Sequence, residues 1–323
     1  MPVTTPEEAK RQRRPREVTI YEVGPRDGLQ NEPEVVSSDA KVELVTRLAD
    51  AGLRRIEVTS FVSPEWIPQL ADGDEVARRV PRRQGVRYSA LVPNTRGYQR
   101  LLASGLPTAA FFVSASETHN RKNVNRSIRE HLDRFRPVAE RAKGDGISLR
   151  AYLSTVCGCP YEGEVAAPRV VAMVRDLLDL GADEVSLGDT IGVGTPDQVQ
   201  SLVEAVAEVA PLEKLALHLH DTYGRALVNA RAGYESGIRI FDSSLGGLGG
   251  CPYAPGASGN AATEDLVDLL EASGVATGID LDALVETAAW VERDLLRRPL
   301  PGRVFRARLG AGGLRGVSRA REE

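Results

Sequence analysis

Eight times along this chain a short run of β-branched, aromatic and leucine residues is followed by a stretch with helical spacing. The strand-like runs cover 18–23, 55–61, 86–92, 109–115, 148–155, 184–189, 215–220 and 240–245. The helix-like stretches that answer them cover 39–51, 74–79, 95–103, 127–142, 168–180, 196–209, 226–236 and 263–272. Several end at a glycine suited to a helix C-terminus: Gly52, Gly105, Gly181, Gly237 and Gly274. Such alternation predicts parallel strands joined by right-handed crossovers. Eight units fit an α/β fold of the (β/α)8 TIM-barrel type better than a doubly wound sheet. No G-x-G-x-x-G follows the first run, which weakens a dinucleotide-binding reading. An additional C-terminal helical segment is expected over 280–297, carrying Trp290 and placed to pack across one barrel mouth. The catalytic barrel with this helix is assigned to 17–300, between disordered tails at 1–16 and 301–323.

Composition closes off several function classes. Lys+Arg 41 against Asp+Glu 45 gives a formal charge of −4, so no overall field recruits nucleic acid or an anionic membrane. No apolar run is long enough to span a bilayer, and the first sixteen residues lack the apolar centre of a secretory signal. Cys157, Cys159 and Cys251 form an odd set with no C-x-x-C spacing, which suits a reducing, cytoplasmic setting.

A barrel of this kind carries its chemistry at the C-terminal ends of its strands. The first strand runs into Gly24-Pro25, and Arg26 and Asp27 follow, a fixed cation beside a hard oxygen ligand. Taken alone, such a pair is far more often a surface ion pair at a turn. The seventh strand reads L-A-L-H-L-H-D. Leucines at alternate positions face the helices, so His218 and His220 point inward together. Two imidazoles so placed either share a metal ion or form a hydrogen-bonded core pair. Asp221 faces the other way. After the eighth strand comes a glycine-dense loop, G-G-L-G-G-C-P-Y-A-P-G-A-S-G-N over 246–260. That density suits close backbone approach to a ligand and loop closure. Cys251 lies in its middle, and Asn260 at its end offers a neutral oxygen ligand. Glu22, Glu57, Ser60 and Asp189 fall on or near strand ends. The polar, basic stretch 117–123 is read as a solvated loop, with phosphate contact as the alternative.

These motifs together (E-V-G-P-R-D-G-L-Q-N-E over 22–32, I-E-V-T-S-F-V-S-P over 56–64, H-L-H-D, and the glycine–cysteine loop) resemble the 3-hydroxy-3-methylglutaryl-coenzyme A lyases. The resemblance spans about 18–295. The glycine–cysteine loop is specific to the lyases, whereas R-D and H-x-H are shared with other metal-dependent aldolase-type barrels. It implies a carbon–carbon lyase of leucine degradation and ketone-body chemistry, acting on a small acyl-CoA thioester as a homodimer. Asp27, His218, His220 and Asn260 then match the ligands of a divalent metal ion, Mg2+ or Mn2+. Arg26 matches the arginine on the thioester carbonyl, and Cys251 the cysteine of the mobile loop. Glu57, Asp189 and His218 join the catalytic group, and Gln30 and Ser60 the substrate contacts. The rival readings are a lyase for another 3-hydroxyacyl-CoA, a Claisen-condensing synthase and a zinc hydrolase barrel.

Overall fold

The closed sheet runs in strict chain order, with every neighbour parallel. The computed structural model of the protein describes residues 17–250 and 259–310. β1 (Thr19–Glu22), β2 (Arg55–Ser60), β3 (Arg87–Leu91), β4 (Thr108–Ser114), β5 (Ser148–Ser154), β6 (Glu184–Asp189), β7 (Leu215–Leu219) and β8 (Ile240–Ser243) are each followed by helix. The barrel closes where β1 pairs with β8, from Thr19 beside Ile240 to Glu22 beside Ser243. All eight units agree with the alternation read from the sequence. Strands buried on both faces explain the nearly continuous apolar runs. Their outward residues join the inner helix faces in one apolar cluster; Gly233 sits so close that a Cβ there would lie 2.2 Å from Leu217 Cδ1.

The interior is not apolar throughout. Arg150 on β5 is 1% exposed and donates to Glu184 on β6 and Asp242 on β8, at 2.5 Å each. Arg55 on β2 forks onto the same Glu184 at 2.7 and 3.0 Å. The Arg150 guanidinium also lies 3.9 Å from the centre of the Tyr21 ring. Charges withdrawn from water hold only when paired, and removing one partner of a buried pair typically costs about 3–5 kcal/mol. Arg150→Ala leaves Asp242 without its countercharge, whereas Glu184 keeps Arg55, so urea unfolding should show a loss of about that size. An unchanged midpoint would mean that Arg150 carries no structural role.

Two expectations need correction. Residues 303–310, assigned to a disordered tail, form the helix Arg303–Gly310. Its first amides, Arg303 N and Val304 N, donate to the Asp265 carboxylate at 3.0 and 2.8 Å, a cap supplied by another helix. Phe305 is fully buried beneath it, and the Arg303 guanidinium reaches Asp221 at 2.5 Å. The stretch expected as a loop at 117–123 is the helix Glu117–Val124, capped by Ser116 and ended by Asn125 in the left-handed region (φ 53°). The helix expected over 280–297 is Leu281–Trp290, continuing as a wider turn through Val291–Leu296. It lies by the Ser38–Asp50 helix, whose Arg47 sits 4.8 Å from the Trp290 ring centre. Residues 1–16 and 311–323, the remaining tail assignments, lie outside the described residues.

Candidate active site

At the end of β1 the chain turns so tightly that the Val23 carbonyl receives the amides of both Asp27 (2.7 Å) and Gly28 (3.3 Å). The turn is anchored by Glu22, whose Oε1 accepts from Gly24 N and Leu245 N and whose Oε2 accepts from Thr263 Oγ1. A side chain at residue 24 would place its Cβ 2.5 Å from that carboxylate, which is why glycine stands there. Glu22 therefore ties the R-D turn to the loop after β8. Behind it, Glu264 receives Gly246 N at 2.9 Å.

Burial pushes the carboxyls of Glu22 and Glu264 up, to about 7 and about 8. A carboxyl whose folded pKa is raised stabilises the fold fully below its unfolded value, here 4.5, and loses that contribution as pH rises through the folded value. Stability should therefore fall between about pH 5 and about pH 8.5, and Glu264→Gln should flatten that slope. Urea midpoints across this range, with the same slope in both proteins, would refute the assignment.

The turn delivers Arg26 and Asp27 into the barrel mouth. Arg26 Nε donates to Glu57 Oε2 at 2.7 Å and Nη1 to Asp27 Oδ1 at 2.6 Å, and no described residue takes Nη2. Burial alone would disfavour the charged guanidinium, but Glu57 and Asp27 outweigh it and hold the cation firmly. Tyr152 completes the support, its hydroxyl on Glu57 Oε2 at 2.8 Å and its ring centre 5.2 Å from Arg26 Cζ. Asp27 also accepts from Gln30 at 2.9 Å and, on its other oxygen, from Asn260 at 2.8 Å.

On β7 the alternation works as the period of two requires. His218 and His220 come together with ring centres 5.3 Å apart. His220 bridges to Asn260, and Ala261 N donates to Leu219 O, so the end of the glycine-rich loop is stitched to the end of β7. Asp27, His218 and His220 each present a ligand atom within 4.8 Å of the others. No group of the described residues satisfies Asn260 Oδ1 or His220 Nδ1, both buried. One anionic oxygen, two imidazoles and an unpartnered amide oxygen fit a divalent cation of hard or borderline character. Burial and then the neighbouring His218 push the His220 imidazole down to about 3, into the neutral form that a ligand needs. Burial raises the Asp27 carboxyl, but Arg26, the two histidines and Asn260 together hold it below its ordinary value.

Asp27, His218 and His220 share a cavity of about 490 Å3 at the C-terminal rim, with Arg26, Gln30, Tyr152 and Gly250 in its wall. Trp66, His119, Lys122 and Asn123 line the same cavity. Other candidates sit differently. Glu57 lies under Arg26 and is fully buried. Asp189 turns its carboxylate to the amides of Val193 and Gly194, pinning the loop after β6, and burial raises its pKa. Ser60 Oγ accepts from Val62 N at 3.1 Å, a turn contact in a fully buried position. Asp221 accepts from Ala226 N and Arg303, away from the histidines. Cys251 lies outside the described residues; of the residues around it, Gly259 N donates to Gly249 O. Reading from the sequence missed Tyr152, Arg150 and Asp242. The available signal was a charged or hydroxyl side chain at inward positions of otherwise apolar strands.

The sequence model of the HMGL-like family matches residues 17–291. The chain belongs to the HMGL-like family. Among its HMGL-like relatives, hydroxymethylglutaryl-CoA lyase YngG of Bacillus subtilis (strain 168) is 49% identical over 289 residues, 90% of this chain and 96% of that protein. The mitochondrial hydroxymethylglutaryl-CoA lyase of Bos taurus is 48% identical over 88% of this chain and 87% of its own. The crystal structure of the B. subtilis HMG-CoA lyase superposes with a TM-score of 0.89, covering 91% of this chain and 98% of that one at 48% identity. An A. baumannii HMG-CoA lyase, solved with coenzyme A and 3-methylmalate, gives 0.86 at 38% identity, with 95% and 98% covered. No helix among the described residues is long and apolar enough to cross a membrane.

Proposed function

We propose that this chain cleaves 3-hydroxy-3-methylglutaryl-CoA between C2 and C3, giving acetoacetate and acetyl-CoA. The observation that carries the reading is the convergence of Asp27, His218 and His220 beside a buried arginine in one cavity of an HMGL-like barrel, with the Asn260 amide on Asp27 and its oxygen unsatisfied. The retro-Claisen step has two demands. The C3 hydroxyl must give up its proton, and the electron pair of the C2–C3 bond must move onto the acetyl thioester as an enolate. Mg2+ or Mn2+ held by Asp27, His218, His220 and Asn260 supplies Lewis acidity for the first demand and orients the substrate.

The residues of the chain do the rest. His218 or Asp27 takes the hydroxyl proton. Arg26 faces the thioester oxygen with Nη2, the arm that Glu57 and Asp27 leave uncommitted, and stabilises charge that exists only as the bond breaks. Glu57 and Tyr152 keep that arm aimed, and Gln30 in the cavity wall is assigned to the substrate's polar groups; Ser60, buried in its turn, stands outside that wall. Asp189 supports the mouth by holding the loop after β6. Cys251, assigned from the sequence, returns a proton to the enolate carbon so that acetyl-CoA leaves. The cavity wall with Lys122 and Trp66 suits the thioester's phosphate-bearing arm. A cytoplasmic homodimer working in leucine degradation completes the proposal.

A panel of 3-hydroxyacyl-CoA thioesters tests substrate choice. The hydroxymethylglutaryl thioester should give the highest kcat/KM. A longer or branched chain ahead of it would transfer the assignment to a neighbouring lyase.

A further inference from the structure

Below the histidines, strand register brings a second carboxylate into the barrel. β7 and β8 pair with His218 beside Asp242, and β1 pairs with β8 so that Tyr21 stands beside the same aspartate. Asp242 is 2% exposed, and no step of the proposed chemistry uses it. Its Oδ2 accepts from Ser186 Oγ at 2.7 Å and lies 3.3 Å from Nδ1 of His218. Its Oδ1 accepts from Arg150 at 2.5 Å. Beyond Arg150 the pairing continues through Glu184 to Arg55, so the carboxylate touching His218 is the last member of a charge-balanced ladder.

A neutral imidazole carries its proton on one nitrogen and a lone pair on the other, and the partner of the first decides which is which. Here the partner is an anion, so Nδ1 is the donor and Nε2 keeps the lone pair. Ser186 holds the accepting oxygen, and Arg150 occupies the other one. Asp242 thus has one orientation available to it.

We propose that Asp242 is a positioning residue for His218, fixing the Nδ1–H tautomer so that Nε2 faces Asp27 and His220, with Arg150 as its permanent countercharge. The inference rests on the cation site of the proposed function. Its test uses no thioester, so it can fail while the lyase reading stands. A partner of this kind typically contributes 10–100-fold to metal affinity.

The first measurement needs no variant. Nitrogen-15 correlation spectra of the metal-free protein, with the His218 signal identified by its disappearance in His218→Gln, should show Nδ1 protonated and Nε2 bearing the lone pair. The second is calorimetric titration with Mn2+ alone. Asp242→Asn should bind it ~10–100-fold more weakly with an unchanged circular dichroism spectrum. Glu184→Gln, which touches Arg150 but not His218, should bind Mn2+ as the parent does. The Nε2–H tautomer at His218 would overturn the proposal. So would parental Mn2+ affinity in Asp242→Asn, or an equal loss in Glu184→Gln. Should Asp242→Asn fail to fold, the tautomer in the parent protein decides alone.

Discussion

Arg26→Gln is expected to lower turnover by ~10²–10³-fold while the protein still takes up its divalent cation. The arginine is braced on two sides, by Glu57 through Nε and by Asp27 through Nη1, which leaves one N–H arm for the substrate. Such a donor is most effective when it is already charged and oriented before the oxygen acquires charge. Glutamine is shorter and neutral and cannot fork between the two carboxylates while also serving a third acceptor. The loss therefore falls on kcat, because the contact strengthens only as the enolate forms. Metal content by elemental analysis should stay near that of the parent, since Asp27 keeps its hydrogen bonds from Gln30 and Asn260. A variant with parental kcat would remove Arg26 from the chemistry.

His220→Ala should have the opposite signature, with cation uptake lost first and turnover falling with it. His220 is buried and neutral, so its removal subtracts one imidazole from the ligand set while the backbone bridge to Asn260 stays. The weakening should exceed the ~10–100-fold that loss of a mere supporting hydrogen bond costs. Excess Mn2+ should then recover part of the activity, which it cannot do for Arg26→Gln. Stoichiometric metal in purified His220→Ala would exclude this histidine as a ligand.

The barrel was legible because its signal is repeated. Each strand–helix unit announces itself by a change of apolar period, and eight of them admit few closures. The histidine pair was legible for the same reason, since residues two apart on a strand share a face. Asp27 and Asn260 each read as an oxygen ligand, but joining them in one site needed the resemblance, because 233 positions separate them and only the closed sheet joins them. Asp242 and Arg150 escaped notice because each is a single charge in an apolar strand, 92 positions apart, and pairing across a barrel leaves no local pattern. The helix Glu117–Val124 was missed because it has no apolar stripe; its cap and its left-handed end hold it. The helix Arg303–Gly310 hid in an arginine- and glycine-rich stretch, and its cap comes from Asp265, far away in the chain.

The most direct test of the central claim is acetyl-CoA release from the hydroxymethylglutaryl thioester, followed in a coupled assay on protein stripped with chelator and then supplied with Mg2+ or Mn2+. The account predicts turnover near zero in the stripped protein and its return with the added cation. Full turnover by protein shown to be metal-free would contradict it.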